Sequence, residues 1–216
     1  MRTSTSLVVV AAAIVALSDS VARGELLPEY GVKAGLNLAN VAHDDLDSSS
    51  RTNFVGGLYV DVGGIGITNL HVQAEALWST KGFKDGTFTV DGESYSADLR
   101  NTYFQFPLLL AYYFPPPGSI DPRLYAGPTF NVLGTAEIKD SETNDWVDIK
   151  DFQKEITWGL VVGGAVRLSE IDLIVRYEWG LSSLGDFGDR APAGIADEEA
   201  KDRVFTVMIG FPFSRP

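Results

Sequence analysis

The 216-residue chain has no cysteine. Disulfides, thiolate metal sites and cysteine nucleophiles are therefore excluded, as is a lipid anchor on a cysteine after the N-terminal apolar run. Histidine is nearly absent too, with only His43 and His71. Basic residues are outnumbered, 17 against 29 acidic, for a formal net charge of -12. That balance argues against nucleic acid as a partner, because phosphate binding needs a basic footprint. No segment carries the roughly 20 consecutive apolar residues of a membrane helix. A membrane role would fall to strands.

What is present is a packable composition. Hydrophobic residues make up 45% and aromatics 11%, which is not the profile of a disordered chain. The length fits one domain, two at most. The first residues read as a targeting segment. Arg2 is basic, Leu7 to Leu17 is a short apolar core, and Ser20-Val21-Ala22 supplies small residues before a cut. The apolar run is too short to span a bilayer as a helix. Residues 1–22 are thus expected to be a secretory signal peptide, and 23–216 the mature domain.

The mature chain alternates. In Ile171 to Leu181, the residues Ile171, Leu173, Val175, Tyr177, Trp179 and Leu181 share one parity. Asp172, Arg176, Glu178 and Gly180 share the other, with only Ile174 out of pattern. Successive side chains of a strand point to opposite faces, so this is a ribbon with one apolar and one charged face. The pattern recurs over Tyr30–Leu38, Phe54–Val62, Leu70–Trp78, Tyr103–Phe114, Leu124–Val132, Ile156–Leu168 and Phe205–Phe213. Pro128 falls within one of these and predicts a local bulge or an unpaired amide. His43–Arg51, Lys81–Arg100, Thr135–Asp151 and Ser182–Asp202 read as long polar loops. Within the second, Thr87 to Gly92 suggests a small hairpin with an Asp-Gly turn. Gly63-Gly64-Ile65-Gly66 precedes no helix and no Lys-Ser/Thr, so it reads as a tight connection and not a phosphate loop. The expectation is an all-β, eight-stranded antiparallel up-and-down transmembrane barrel, with short periplasmic turns and long external loops.

Three features put lipid, not a core, against the apolar face. The connections alternate long and short, as in outer-membrane barrels. The polar face is rich in glycine (Gly31, Gly35, Gly57, Gly127, Gly159, Gly163, Gly180), which suits a crowded narrow interior and would only weaken a water-facing strand. Aromatics gather at the strand ends of the apolar face: Tyr30, Tyr112, Phe114, Phe211 and Phe213 toward the turns, and Phe54, Trp78, Phe104, Trp158, Trp179 and Phe205 toward the loops. Two such belts are what interfacial girdles require. A soluble core would also absorb aromatics, but it gives no reason for the order of the loops.

Tyr30-Gly-Val-Lys-Ala-Gly-Leu-Asn-Leu-Ala-Asn40, Gln73-Ala-Glu-Ala-Leu-Trp-Ser-Thr-Lys-Gly82, Phe106-Pro-Leu-Leu-Leu110 and Tyr125-Ala-Gly-Pro-Thr-Phe130 together resemble the PorT-like outer-membrane β-barrel family, motif by motif and in its order. The resemblance spans essentially the mature chain and implies a bacterial outer-membrane location. It implies no assigned activity. The chain departs from many outer-membrane barrels at its end, where Phe213 is followed by Ser-Arg-Pro instead of closing on an aromatic residue.

The inward set carries Lys33, Arg123, Arg167 and Arg176 with Asp61, Glu75, Asp172 and Glu178, balanced in sign. Buried charges persist only when paired and hydrogen-bonded, so these residues are expected to form an ion-pair network that fills the lumen, with Asn37, Tyr59 and Gln73 as fillers. For Asp172 and Glu178 the expected partners are Arg167 and Arg123. A charge-lined pore is the competing reading. His71, Ser79 and Glu75 share a strand without the arrangement of a hydrolytic triad, and no catalytic, cofactor or metal residue is assigned. Asp44, Asp45 and Asp47, or Asp197, Glu198 and Glu199, could offer carboxylates to divalent cations, although solvated loops explain them as well.

The function expected is a small non-catalytic outer-membrane barrel. It would be monomeric, contact outer-membrane lipid, and serve a structural role or bind a protein or surface ligand at its loops. The alternatives are a small channel and a soluble periplasmic lipocalin-like barrel with the faces reversed. The signal reading predicts that the envelope-fraction protein begins at Arg23 or within a few residues of it on N-terminal sequencing; a mature chain starting at Met1 would refute it.

Overall fold

The computed structural model describes the backbone of residues 28–42, 49–63, 67, 69–90, 93–115, 120–139, 146–148, 154–182 and 201–213. The signal segment, His43, and the acidic groups at Asp44–Asp47 and Asp197–Glu199 lie outside them. The elements are β1 (Glu29–Ala42), β2 (Ser49–Gly63), β3 (Leu70–Val90), β4 (Glu93–Tyr113), β5 (Ile120–Lys139), β6 (Trp146–Asp148), β7 (Ile156–Leu168), β8 (Ile171–Gly180) and β9 (Lys201–Pro212).

Each long strand pairs antiparallel with its neighbours. β4 pairs with β5 and β1 with β9, so the ring β1-β2-β3-β4-β5-β7-β8-β9 closes on itself. The result is an eight-stranded antiparallel barrel, with β6 added outside the ring on the end of β5. Closure leaves no edge within the ring, which a sheet surrounded by lipid requires. Among the described residues no helix is long and apolar enough to cross a membrane.

The hydrophobic parity read from the sequence is the outward face. Along β8 the burial alternates strictly, exposed at Ile171, Leu173 and Val175 and buried at Asp172, Ile174 and Arg176. Leu58, an aliphatic residue at mid-strand, is 60% exposed, whereas Asp172 is 0% exposed. The eleven aromatics assigned to the two belts are all exposed. Phe54 and Trp78 lie 5.9 Å apart between ring centroids, and Tyr112 and Phe114 5.0 Å apart. Val62, at the turn end of β2, and Thr80, beyond Trp78 on β3, share the outward parity and are buried. Ile174, which broke the pattern in the sequence, points inward. There it joins Val55, Leu77, Leu109, Ala111, Tyr125, Val161, Ala165 and Met208 in an apolar cluster within the barrel.

The turn ends are tight. Leu168 pairs with Ile171, leaving Ser169-Glu170 as the whole connection, and Ser169 takes φ 58. A positive φ at the first central residue matches the twist of the flanking strands in a two-residue hairpin. Between β2 and β3, Asn69 takes φ 70 and Leu70 N donates to Ile67 O at 3.2 Å.

The loop ends differ from the expected polar loops. The hairpin read at Thr87–Gly92 is present, with Val90 paired to Glu93 across Asp91-Gly92, but it is the end of β3 and β4, which run paired through Lys81–Arg100 with one register shift between Phe83 and Gly86. Each has 21 residues, about twice the 9–11 that span a bilayer. Similarly β5 continues past Thr135 to Lys139 and receives β6 from what read as loop. β2 starts at Ser49 and β9 at Lys201, each inside a segment read as loop. No register shift occurs at Pro128. The pairs Pro107↔Thr129 and Leu110↔Ala126 keep one register, and the shift falls at Gly134, between Thr102↔Thr135 and Tyr103↔Leu133. Pro128 keeps its place because the chain needs only a missing donor there, not an extra residue.

Val175 is 47% exposed at mid-strand, opposite Gly164 and Val207. Val175→Arg should cost about 2–4 kcal/mol, as a cation at the bilayer midplane does. Denaturant titration of both proteins in lipid checks this, and equal stability would reverse the assignment of the faces.

Candidate functional site

The chemistry-bearing residues gather in the lumen, because alternation sends every second side chain of eight strands into one narrow section. They sit in three tiers.

At the turn end Arg167 is the hub. Its Nη1 and Nη2 donate to Glu29 at 2.6 Å each, and its Nε donates to Asp172 at 2.7 Å. Arg167 and Asp172 are cross-strand partners on β7 and β8. Arg123 also pairs with Asp172. Tyr59 donates to Glu29 at 3.0 Å. Beside this group, His71 Nδ1 lies 2.6 Å from Asp61, and the His71 ring stacks on Tyr113 at 4.0 Å. The Tyr113 hydroxyl donates to Asp61 at 3.1 Å and accepts from Arg123 at 3.0 Å.

The middle tier centres on Glu75. Lys33 Nζ lies 2.5 Å from one of its oxygens and Arg176 Nη1 2.8 Å from the other. Gln73 adds a hydrogen bond at 2.7 Å. Lys33 also stands 4.5 Å over the Tyr59 ring.

Toward the loops, Lys81 pairs with Glu178 at 2.8 Å, and Gln105 and Asn131 donate to the same carboxylate at 3.0 and 3.1 Å. Asn37 bridges β3 and β9, donating to Ser79 and accepting from Thr206, both at 2.8 Å.

All eight charges assigned to the lumen are buried. Arg167 and Arg123 do meet Asp172, but Glu178 is met by Lys81 instead. Sequence reading missed Lys81 and Glu29. Lys81 falls in a segment that reads as loop, and Glu29 precedes the first apolar residue of β1; inward parity, extended one step before Tyr30 and two inward positions beyond Trp78, finds both. His71, Ser79 and Glu75 do not converge. Eight residues separate His71 from Ser79 along β3, roughly 26 Å of extended chain. Glu75 is occupied by two cations. Among the described residues no group of three or more histidine, aspartate or glutamate side chains could hold a metal ion.

The geometry of the loop-side pair yields a stability test. Lys81→Met strands Glu178 in a desolvated setting and should cost about 3–5 kcal/mol, whereas Lys81→Met with Glu178→Gln should recover much of that loss. Chemical denaturation of the single and double variants in micelles checks both. Additive losses would show that the pair is not desolvated.

Comparison with a solved structure supports the fold. A major outer membrane protein from Thermus thermophilus aligns over 86% of this chain and 99% of its own, with a TM-score of 0.52 at 14% identity. Neisserial surface protein A, of Neisseria, aligns over 86% and 97%, at a TM-score of 0.47 and 12% identity. OprG from Pseudomonas aeruginosa aligns over 88% and 96%, at 0.45 and 12%. No curated protein sequence matches the chain. The family described as outer membrane protein beta-barrel domain matches residues 25–186. With that match and a closed eight-stranded barrel, apolar outside and charged within, the chain belongs to the outer membrane protein beta-barrel domain family and resides in the bacterial outer membrane.

Proposed function

We propose that this is a structural or loop-binding outer-membrane barrel whose lumen is plugged by its own side chains, and not a channel or an enzyme. One observation carries the reading. In the ring, β3 and β8 stand diametrically opposite. Glu75–Arg176 and Lys81–Glu178 both join β3 to β8, so two ion pairs cross the full width of the lumen. A barrel of eight strands is just wide enough to be filled in this way.

Binding at the loop end is supported by the distribution of charge and by the long strands. Segments 43–51, 82–101, 134–155 and 182–203 hold nine basic and twenty acidic residues, so they carry -11 of the net -12. β3, β4 and β5 continue into that region as hydrogen-bonded sheet, which offers a platform for a protein or surface ligand. The exposed aromatic belts suit anchoring in outer-membrane lipid as a monomer. The quoted motifs support a place among PorT-like members, and the N-terminal segment supports export by a cleaved signal.

Arg176→Leu tests the plug. Lys33 stays on Glu75, but the second carboxylate oxygen loses its buried partner, so the variant should destabilise the barrel by about 1–3 kcal/mol and leave planar bilayers as electrically silent as the parent protein does. Steady parental conductance whose ion selectivity changes in Arg176→Leu, with little loss of stability, would establish a pore instead.

A further inference from the structure

The loop end carries most of the net negative charge, and it stands over the headgroups of the outer leaflet. Over anionic headgroups, cations must stand between the two, because like charges repel within a Debye length of about 10 Å at 0.1 M ionic strength. The described cations are placed accordingly. At the turn end they are Arg123 and Arg167, both inside the lumen. Arg100, Lys139, Lys154 and Arg203 lie outside it, all at the loop end; the first three are half-buried and Arg203 is exposed.

These four differ in what they meet. Arg100 donates to Glu137 at 2.9 Å, and Lys139 lies across from Asp98. Arg203 lies across from Trp179 of β8 and Asn40 of β1, neither of them charged. No carboxylate pairs with Arg203 among the described residues. Lys201, two positions back along β9 and so of the same parity, lies across from Ala42. Two positions the other way is Phe205, paired across to Tyr177. The Tyr177 and Trp179 rings meet edge-on with centroids 4.5 Å apart. Trp179 is 40% exposed and Phe205 42%.

An exposed guanidinium thus tops the aromatic belt, at the depth where hydrocarbon gives way to headgroups. Apolar surface below and a cation without a carboxylate above match an amphiphile whose acyl chains lie on the belt and whose head carries phosphate. The guanidinium fork takes two phosphate oxygens at once, whereas a neutral head would leave its charge uncompensated. We propose that the outward face of β8, β9 and β1 at the loop end binds a phosphate-bearing lipid of the outer leaflet, with Arg203 as the phosphate ligand and Trp179 and Phe205 beneath the acyl chains. This rests on the belts being lipid anchors, which Val175→Arg tests by itself, so the two readings can fail separately.

The experiment uses the full mature protein in neutral micelles and native mass spectrometry. The probes are a bisphosphorylated diglucosamine lipid and the same lipid with both phosphates removed. The parent should retain the phosphorylated lipid about tenfold more strongly, the worth of one charge-assisted contact. Arg203→Gln should lose most of that preference, and Arg203→Lys, which keeps the charge without the fork, should lose part of it. Arg100→Gln, whose cation is already met by Glu137, should keep it. Equal retention of the two lipids by the parent, or a preference undiminished in Arg203→Gln, would overturn the proposal. So would an equal loss in Arg100→Gln, which would mark a diffuse surface field instead of a site.

Discussion

Closing eight strands into a ring is the constraint on which the rest depends. A closed ring has no edge, so it satisfies its own backbone in lipid. It also forces the inward half of every strand into one shared section. Charges placed there must find partners across the barrel, and the chords from β3 to β8 are the outcome. Register follows from the same constraint. A slip of one residue on β8 would turn Asp172, Arg176 and Glu178 to lipid and Leu173 and Val175 into the charge network, so neither face could tolerate it.

Large inward side chains need room, and glycines next to them provide it. Lys33 lies between Gly57 and Gly210, and Gly210 also faces Asp172. Tyr59 sits opposite Gly31, and His71 opposite Gly63. Gly163 separates Tyr125 from Arg176. At Gly35 and Gly127 the neighbouring strand comes so close that an added Cβ would strike Val207 O or Leu108 O. Glycine on the charged parity is thus the counterpart of the bulky residues: it lets a long side chain lie over its neighbour while the strands coil tightly.

The fold was legible because lipid and lumen impose opposite demands on successive residues, and parity records them directly. Tyr30–Leu38, Tyr103–Phe114 and Ile156–Leu168 needed nothing more. The ends of β3, β4 and β5 were illegible for the same reason. Lys84-Asp85-Gly86 and Asp91-Gly92-Glu93-Ser94 break the apolar–polar alternation and resemble loop, although the backbone pairs from Gly86↔Ala97 to Val90↔Glu93. Partner choice was legible only where it is local. Arg167 and Asp172 flank a two-residue turn, so their meeting follows from the hairpin. Glu75 with Arg176 depends on ring closure across 101 positions of sequence, which no local pattern encodes. The odd residue Ile174 marked something real: part of the lumen is apolar, and the charges are packed against it.

The two populations of charge answer to different physics. Inside, five cations, Lys33, Lys81, Arg123, Arg167 and Arg176, and five carboxylates, Glu29, Asp61, Glu75, Asp172 and Glu178, are buried. Held away from solvent, they are little screened by salt, and their pairing is a condition of folding. Outside, the loop-end segments are predominantly acidic. Charges in contact with water contribute little to stability and are screened within about 10 Å at 0.1 M ionic strength. Loop residues can therefore change with little effect on the barrel, whereas a lumen charge can change only together with its partner. A scaffold whose interior is neutralised by internal pairs leaves the net charge to its external end, the part free to be shaped by whatever it contacts.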